Sequence, residues 1–260
     1  MIGSRKAALI LCFFFLALAA ACFLYPRMKT TGQETMQRAE LEEFERYITA
    51  AQTAPQNPEA EGAGGEQPTA QPFQELLEAA RAYNDGLSVK QQPTGEALKQ
   101  APLELAEYGY DSEIFARLRV PDGGIDMPVY LGASAANLDA GAAVLGQTSL
   151  PIGGQGTKCV IAGHRSWKGA LLFRPLEDLD KGSLVEITNP WETLTYRVCS
   201  VEVVDPNNLE ILRVEPGGDL LLLLTCTRDG KNRIIVKCER LSFPMAKARG
   251  YKPHLVLPET

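Results

Sequence analysis

The chain has 260 residues, of which 45% are hydrophobic, and a net charge of −6 at pH 7. This length can form one sizeable folded domain with additional segments. The acidic charge argues against a nucleic-acid partner, because nucleic-acid-binding surfaces are usually basic. The sequence holds only two histidines, no Cys-x-x-Cys pair and no glycine-rich nucleotide-binding motif. We therefore expect neither a metal nor a cofactor.

The N-terminal segment predicts a membrane anchor. Residues 7–25 form a run of nineteen positions without a charge, which is long enough to span a bilayer as a helix. Arg5 and Lys6 precede this run and favour a cytoplasmic N-terminus, with the rest of the chain outside the cell. A cleaved signal peptide and a lipoprotein signal ending at Cys22 are the alternatives. We assign residues 1–29 to a cytoplasmic end and a single-pass anchor in the cell membrane.

Two helices separated by a linker are predicted next. Residues 33–52 have apolar side chains on one face of a helix. These side chains are Leu41, Phe44, Ile48 and Ala51. The segment that follows is rich in Pro, Gly, Ala and Gln, which is typical of a flexible linker. A second helix begins at Pro72 and ends at Gly86. We assign residues 30–107 to a helical stalk and linker, which has either no chemistry or a regulatory role.

The chain is predicted to form β-strands from about residue 108. Short apolar stretches broken by Gly, Pro and Asp are typical of strands. The predicted strands are IFARLRVP, IDMPVYLG, TKCVIAGH, SLVEIT, TLTYRVCSVEVV, DLLLLLTC and RIIVKCERL. Between the third and fourth, ALLFRPLEDLDKG predicts a short helix or structured loop. This pattern predicts an all-β sandwich or barrel over residues 108–243, followed by a C-terminal tail, residues 244–260.

The last two strands predict a hairpin that brings a cysteine and an arginine together. Asp229-Gly230 is a preferred two-residue type I′ turn, and this turn places Cys226 opposite Arg233 with Cβ atoms about 5 Å apart. A register slip of one residue would break the pair, and Arg228 is the alternative partner. A nearby cation favours the reactive thiolate. A guanidinium cannot act as a base, but it can stabilise an oxyanion.

A histidine completes a candidate catalytic set. Acyl transfer requires a proton carrier, and histidine titrates nearest to neutral pH. His164 follows a predicted strand at a loop edge, whereas His254 lies in the C-terminal tail. We therefore predict that Cys226, His164 and Arg233 form a triad for acyl transfer.

The other cysteines leave a non-enzymatic alternative open. Outside the predicted anchor, the sequence has Cys159, Cys199, Cys226 and Cys238. We interpret Cys159, Cys199 and Cys238 as buried core thiols. Alternatively, the chain is a surface domain without catalytic activity that is stabilised by disulfides, in which Cys226 pairs with another thiol such as Cys238.

Several motifs resemble the sortases, the membrane-bound cysteine transpeptidases of Gram-positive bacteria. They are AGHR at 162–165, LLTCT at 223–227 and an arginine that opens the following strand. The segment LGQTSLPIGGQGTKCVIAGHR resembles class C sortases, which polymerise pilins. The similarity covers roughly residues 72–243 and implies a closed eight-stranded barrel.

The resemblance also implies roles for the site residues. Cys226 is expected to be the nucleophile and His164 the acid and base. Arg233 is expected to position the substrate and the oxyanion, with Arg228 as the alternative for this role. Thr225 is a further candidate for substrate binding. Class C enzymes usually carry an Asp-Pro-aromatic motif in a lid before the barrel, and residues 88–110 lack it, although residues 30–107 include the possible lid region.

The implied reaction cleaves an LPxTG-like sorting signal between Thr and Gly through a thioester. The acyl group is then transferred to an amine, with a pilin lysine as the favoured acceptor. The expected partners are therefore sorting-signal proteins and an amine acceptor. Anchoring of single proteins to a cell-wall precursor is one alternative, and thiol-dependent hydrolysis without transfer is another.

Overall fold

The computed structural model describes residues 32, 35–53, 72–87, 94–167, 170–215 and 217–241. The predicted anchor, nearly all of the predicted linker and the C-terminal tail lie outside these residues. Within the described ranges, no helix is both long and apolar enough to cross a membrane.

Eight strands form a closed barrel. They are β1 (Ile114–Val120), β2 (Ile125–Leu131), β3 (Ala142–Val144), β4 (Thr157–Ala162), β5 (Leu184–Thr188), β6 (Thr193–Val204), β7 (Asp219–Cys226) and β8 (Arg233–Arg240). Their order around the barrel is β1-β2-β3-β4-β7-β8-β6-β5. The β2–β3 and β4–β7 pairs are parallel. The prediction of a closed eight-stranded barrel is confirmed.

Strand β3 is the one barrel strand that the sequence pattern did not reveal. It has three residues, Ala142–Val144, and pairs with β2 and β4. Three consecutive small or apolar residues show no alternation, so the period that identifies a half-buried strand is absent. The other seven strands lie where the apolar stretches predicted them.

Three α-helices accompany the barrel in the described part of the chain. They are α1, which covers residues 35–53, α2 (Gln74–Gly86) and α3 (Ala135–Ala140). Helices α1 and α2 confirm the two predicted helices, whereas the six-residue α3 was not predicted. Short 3₁₀ helices lie at Ala97–Lys99, Leu105–Tyr108, Pro121–Gly123, Arg174–Asp178 and Leu209–Leu212. The fourth of these confirms the predicted short helix or loop.

Helices α1 and α2 pack against the barrel and share its hydrophobic core. Phe44 and Ile48 of α1 and Leu76 and Ala80 of α2 are buried in the same apolar cluster as the barrel interior. The apolar face predicted for α1 is therefore the face that contacts the barrel. The domain boundary between residues 107 and 108 stays a prediction.

Strand β7 is buried on both faces, which explains its run of leucines. Leu221 and Leu223 point into the barrel, while Leu220 and Leu222 belong to a second apolar cluster on its outer surface. We call this second group the outer cluster. Its buried members are Leu145, Val160, Ala162, Leu212, Leu220, Leu222 and Ile235. A strand covered on both faces has a continuous apolar sequence instead of an alternating one.

Candidate active site

The strand register brings the three predicted catalytic residues together at one end of β7. In the parallel β4–β7 pair, Ala162 lies beside Leu224. Beyond this pair, the Gly163 N–H donates to the Leu224 carbonyl oxygen, so the loop that carries His164 leaves β4 next to the end of β7 that carries Cys226. In the antiparallel β7–β8 pair, Cys226 lies opposite Arg233. Neighbouring strands are about 5 Å apart, so Cys226 lies between the histidine and the arginine.

The predicted Cys226–Arg233 pairing is confirmed, but the predicted turn type is wrong. Among described residues other than glycine, only Phe73 and Gln147 have positive φ, so Asp229 does not adopt the φ that a type I′ turn requires. The loop instead has four residues, 228–231, and a hydrogen bond from the Thr227 N–H to the Asn232 carbonyl oxygen at 3.0 Å closes it. Within the loop, the Gly230 N–H donates to the Thr227 carbonyl oxygen at 2.9 Å. A four-residue loop with the same centre as a two-residue loop leaves the register unchanged.

The three residues lie on the outer face of the barrel. Successive side chains of a strand point to opposite faces, and Cys226 has the same parity as Leu222 of the outer cluster. His164 is two residues after Ala162, and Arg233 is two residues before Ile235. Ala162 and Ile235 both belong to the outer cluster. The Cys226 thiol therefore lies at the end of the outer cluster.

Hydrogen bonds between β4 and β7 fix the loop that carries His164. The Gly163 N–H donates to the Leu224 carbonyl oxygen at 3.1 Å. The buried Thr225 hydroxyl donates to the Gly163 carbonyl oxygen at 2.8 Å. A Cβ at Gly163 would lie 2.9 Å from the Phe173 ring, so this close approach requires glycine. The backbone before the histidine is thus held firmly against β7.

The imidazole of His164 has two further neighbours that the sequence did not indicate. The Trp167 indole stacks on it, with ring centroids 4.9 Å apart and an interplanar angle of 17°. Oδ1 of Asp139 lies 3.5 Å from Nε2 of His164. Asp139 is on the unpredicted helix α3, 25 positions before the histidine, and no local pattern links the two. Trp167 is only three positions away, but a stacked ring is not visible in spacing alone.

The two arginine candidates occupy different places. Nη1 of Arg233 donates to the carbonyl oxygens of Gly230 and Asn232 at 3.3 and 3.1 Å, which fixes one end of the guanidinium beside the hairpin. Arg228 is exposed in the turn, away from the position opposite Cys226. Its role as the alternative arginine, like the substrate-binding role of Thr225, stays a prediction.

The cysteines of the barrel are free thiols. Cys159, Cys199, Cys226 and Cys238 form no disulfide in the structure. Cys238 lies opposite Leu221, five positions along β7 from Cys226, or about 17 Å. A disulfide requires Cα atoms within roughly 7 Å, so the pairing of Cys226 with Cys238 is wrong.

The three remaining thiols differ in burial. Cys159 and Cys238 are buried as predicted, and burial raises the pKa of each thiol well above its usual range. Cys199 is instead half-exposed at an irregularity of β6, which corrects its interpretation as a core thiol. Burial, followed by Glu239, also raises the pKa of Cys199.

A metal site is not evident in the described ranges, where no group of three or more His, Cys, Asp and Glu side chains is arranged to hold an ion.

Comparisons with known proteins agree with this arrangement. The Sortase domain family matches residues 118–241. Sortase A of Streptococcus agalactiae is 29% identical over 130 residues, which are 48% of this chain and 52% of that protein. The match thus spans about half the length of this relative.

Two solved structures are also similar. Group B Streptococcus Pilus Island 1 Sortase C2 is 35% identical, with a TM-score of 0.60 over 65% of this chain and 97% of that one. The pilus-related Sortase C of Group B Streptococcus is also 35% identical, with a TM-score of 0.58 over 65% of this chain and 89% of the other. From its barrel, its motifs and these similarities, the chain belongs to the sortase family of cysteine transpeptidases, and its structural neighbours are class C pilin sortases.

Proposed function

We propose that this chain cleaves an LPxTG-like sorting signal between Thr and Gly and transfers the acyl fragment to an amine. The observation that carries the proposal is the position of Cys226 between the two strands that pair with β7. Arg233 lies opposite it on β8, and the loop of His164 follows β4 on the other side. A nucleophile, a proton carrier and an anion-stabilising cation are the parts that acyl transfer requires.

The first step forms a thioester. The Cys226 thiolate attacks the threonine carbonyl carbon, and negative charge develops on the carbonyl oxygen. Nη1 of Arg233 is bound to loop carbonyls, so Nε and Nη2 are the donors proposed for this oxyanion. His164 donates a proton to the glycine nitrogen as the carbon–nitrogen bond breaks. The glycine-containing fragment leaves with a neutral amine.

The second step resolves the thioester. An acceptor amine attacks the acyl carbon, His164 takes the proton that the amine loses, and the carbon–sulfur bond breaks. A new amide forms and the Cys226 thiolate is regenerated. Water can attack the same thioester unless the site is shielded. Hydrolysis is therefore the reaction that competes with transfer.

Partly buried apolar residues around the outer cluster provide a surface for the apolar part of the signal. Leu224 is half-buried two residues before the nucleophile, and Leu98, Ala133 and Leu138 are partly buried around the same cluster. We propose that the leucine and proline of the signal bind to these partly buried residues. Apolar pockets with a few polar groups are the usual form of such sites.

A pilin lysine is the acceptor that we favour. The neighbouring structures are named as a Pilus Island sortase and a pilus-related sortase, and the resemblance in the histidine segment is to the same class. A cell-wall precursor amine is the alternative acceptor. For either acceptor we propose a membrane-anchored enzyme whose barrel acts outside the cell.

Peptide cleavage and transfer by the purified full-length chain test the proposal. The substrate is a peptide containing Leu-Pro-Glu-Thr-Gly, given alone, with a lysine peptide, or with a glycine peptide, and the products are identified by mass spectrometry. We expect transfer to an added amine and a loss of more than about 1,000-fold in Cys226→Ala, as for other lost nucleophiles. Turnover by Cys226→Ala would exclude the mechanism, and hydrolysis unaffected by any amine would indicate a hydrolase.

The two arginines are compared in the same assay. Arg233→Lys should lower kcat about 100-fold, because a point charge cannot replace the planar donor fork and one lost oxyanion donor costs this much. Arg228→Lys is the matched variant in the turn and should retain activity. The reverse result would assign the role to Arg228.

A further inference from the structure

We propose that Asp139 is a positioning residue that holds the imidazole of His164 during both steps, an inference that rests on the proposed function. Oδ1 of Asp139 lies 3.5 Å from Nε2 of His164. The Trp167 ring stacks nearly parallel to the imidazole. The carboxylate therefore orients the ring within its plane, and the indole restricts tilting out of that plane.

The helix that carries the carboxylate is itself well fixed. The Ser134 side chain caps the start of α3 by accepting from the Asn137 N–H at 3.2 Å. The Asn137 amide donates to the Gly132 carbonyl oxygen at 2.8 Å. At the other end, the Gln37 amide of α1 donates to the Ala140 carbonyl oxygen at 2.7 Å. Because this short helix is held at both ends, the Asp139 carboxylate is already in place before the reaction begins, as efficient positioning requires.

The chemistry benefits from this orientation in both directions. Acylation moves a proton from His164 to the leaving amine, and resolution moves one from the attacking amine to His164. Because Nε2 is the nitrogen that faces Asp139, Nδ1 is the nitrogen available for this exchange. The carboxylate accepts the Nε2–H hydrogen bond and holds the ring in its orientation without taking a proton itself, as in other carboxylate–histidine pairs.

The histidine content of the chain allows a direct test. The sequence has two histidines, His164 and His254, so ring nitrogen resonances of the ¹⁵N-histidine-labelled full-length chain contain one site signal and one internal reference. We expect His164 to carry its neutral-state proton on Nε2, and Asp139→Asn to shift this population toward Nδ1–H while the His254 signal stays unchanged. An unchanged His164 signal would overturn the positioning role, whether or not the enzyme is active.

Kinetics with the Leu-Pro-Glu-Thr-Gly peptide provide the functional readout. Asp139→Asn should lower kcat roughly 10- to 100-fold, because small misplacement of a catalytic group costs up to about 100-fold, while KM stays near the wild-type value. Asp139→Glu restores a carboxylate and should recover part of the rate. Asp122→Asn, an exposed carboxylate in the turn between β1 and β2, is the matched control and should resemble wild type.

The possible results separate this inference from the proposed function. Wild-type chain that cleaves no sorting peptide would overturn the proposed function, and the tautomer measurement would still decide the role of Asp139. Normal kcat in Asp139→Asn would overturn the positioning role alone. Loss of aminolysis with normal hydrolysis would also overturn it, because the carboxylate would then act on the acceptor amine.

Discussion

At the scale of single residues, Thr225 shows how a buried side chain supports the site. It directly precedes Cys226, but its side chain points away from the outer face, and its hydroxyl binds the Gly163 carbonyl oxygen at 2.8 Å. This bond connects the strand of the nucleophile to the loop of His164.

Two replacements of Thr225 distinguish the effect of its hydroxyl from the effect of its side-chain shape. Thr225→Val leaves the Gly163 carbonyl without this donor and should reduce the free energy of unfolding by about 1–3 kcal/mol. We also expect kcat to fall, because the histidine loop loses a contact. Thr225→Ser keeps the hydroxyl and should retain most of the activity. Urea unfolding and peptide cleavage measure both effects, and equal activity in the Val and Ser variants would contradict this role.

At the scale of structural elements, the connection from β6 to β7 is held on the barrel by a buried lysine. The Lys158 ammonium is almost fully buried, binds the Glu215 carboxylate and donates to the Ile211 carbonyl oxygen at 3.2 Å. Lys237 lies 3.8 Å from the same carboxylate. Leu209, Ile211 and Leu212 of the connection pack on the outer cluster, so these contacts hold one of the segments that cover it.

We expect the Glu215 carboxylate to make the stability of the fold depend on pH. The hydrogen bond from Lys158 is the main cause that holds the pKa of Glu215 below its ordinary value of 4.5. A lowered folded-state pKa contributes stability above the ordinary value and loses it as the pH falls through the lowered value. The difference in unfolding free energy between wild type and Glu215→Gln should therefore be largest near neutral pH and shrink as the pH falls below the ordinary pKa of 4.5.

Chemical denaturation at several pH values measures this difference. Glu210→Gln, at an exposed glutamate of the same connection, is the control and should differ little from wild type at neutral pH. A difference between wild type and Glu215→Gln that stays constant across the pH range would show that the ionisation of Glu215 contributes nothing to folding. A raised KM in Glu215→Gln is the expected functional effect, because the connection is less firmly held.

At the scale of the whole molecule, α1 is part of the folded unit. Phe44 and Ile48 lie in the barrel's apolar cluster, the Glu45 carboxylate pairs with Arg117 of β1, and the Tyr47 hydroxyl accepts from the Asp111 N–H at 3.0 Å. A segment that only extended the chain from a membrane would not make these contacts.

Truncation of a buried side chain in α1 tests this integration. Phe44→Ala should reduce the free energy of unfolding by about 3–5 kcal/mol, the usual cost of removing a buried aromatic ring. Glu43→Ala, at an exposed position of the same helix, should change it by less than about 0.5 kcal/mol. A single cooperative transition is expected for the helix and barrel together. Similar stability in the two variants would mean that α1 folds apart from the barrel.

Several features of this protein can be predicted from local patterns in the sequence. Short apolar stretches bounded by Gly, Pro and Asp predict seven strands. Strands with one buried face alternate, whereas β7, which is buried on both faces, is continuously apolar. The position of Asp229-Gly230 at the centre of the hairpin set the pairing of Cys226 with Arg233 even though the turn type differs, because pairing depends only on the centre of the loop and on its even length.

Other features depend on contacts between distant segments and cannot be predicted from any local pattern. Strand β3 exists because β2 and β4 hydrogen-bond to it, and three residues carry no pattern of their own. The parallel pairing of β4 with β7 brings the loop of His164 to the end of β7 that carries Cys226, 62 positions away. Asp139 reaches the imidazole from a six-residue helix. These distances are set by the closure of the barrel, which no stretch of sequence encodes locally.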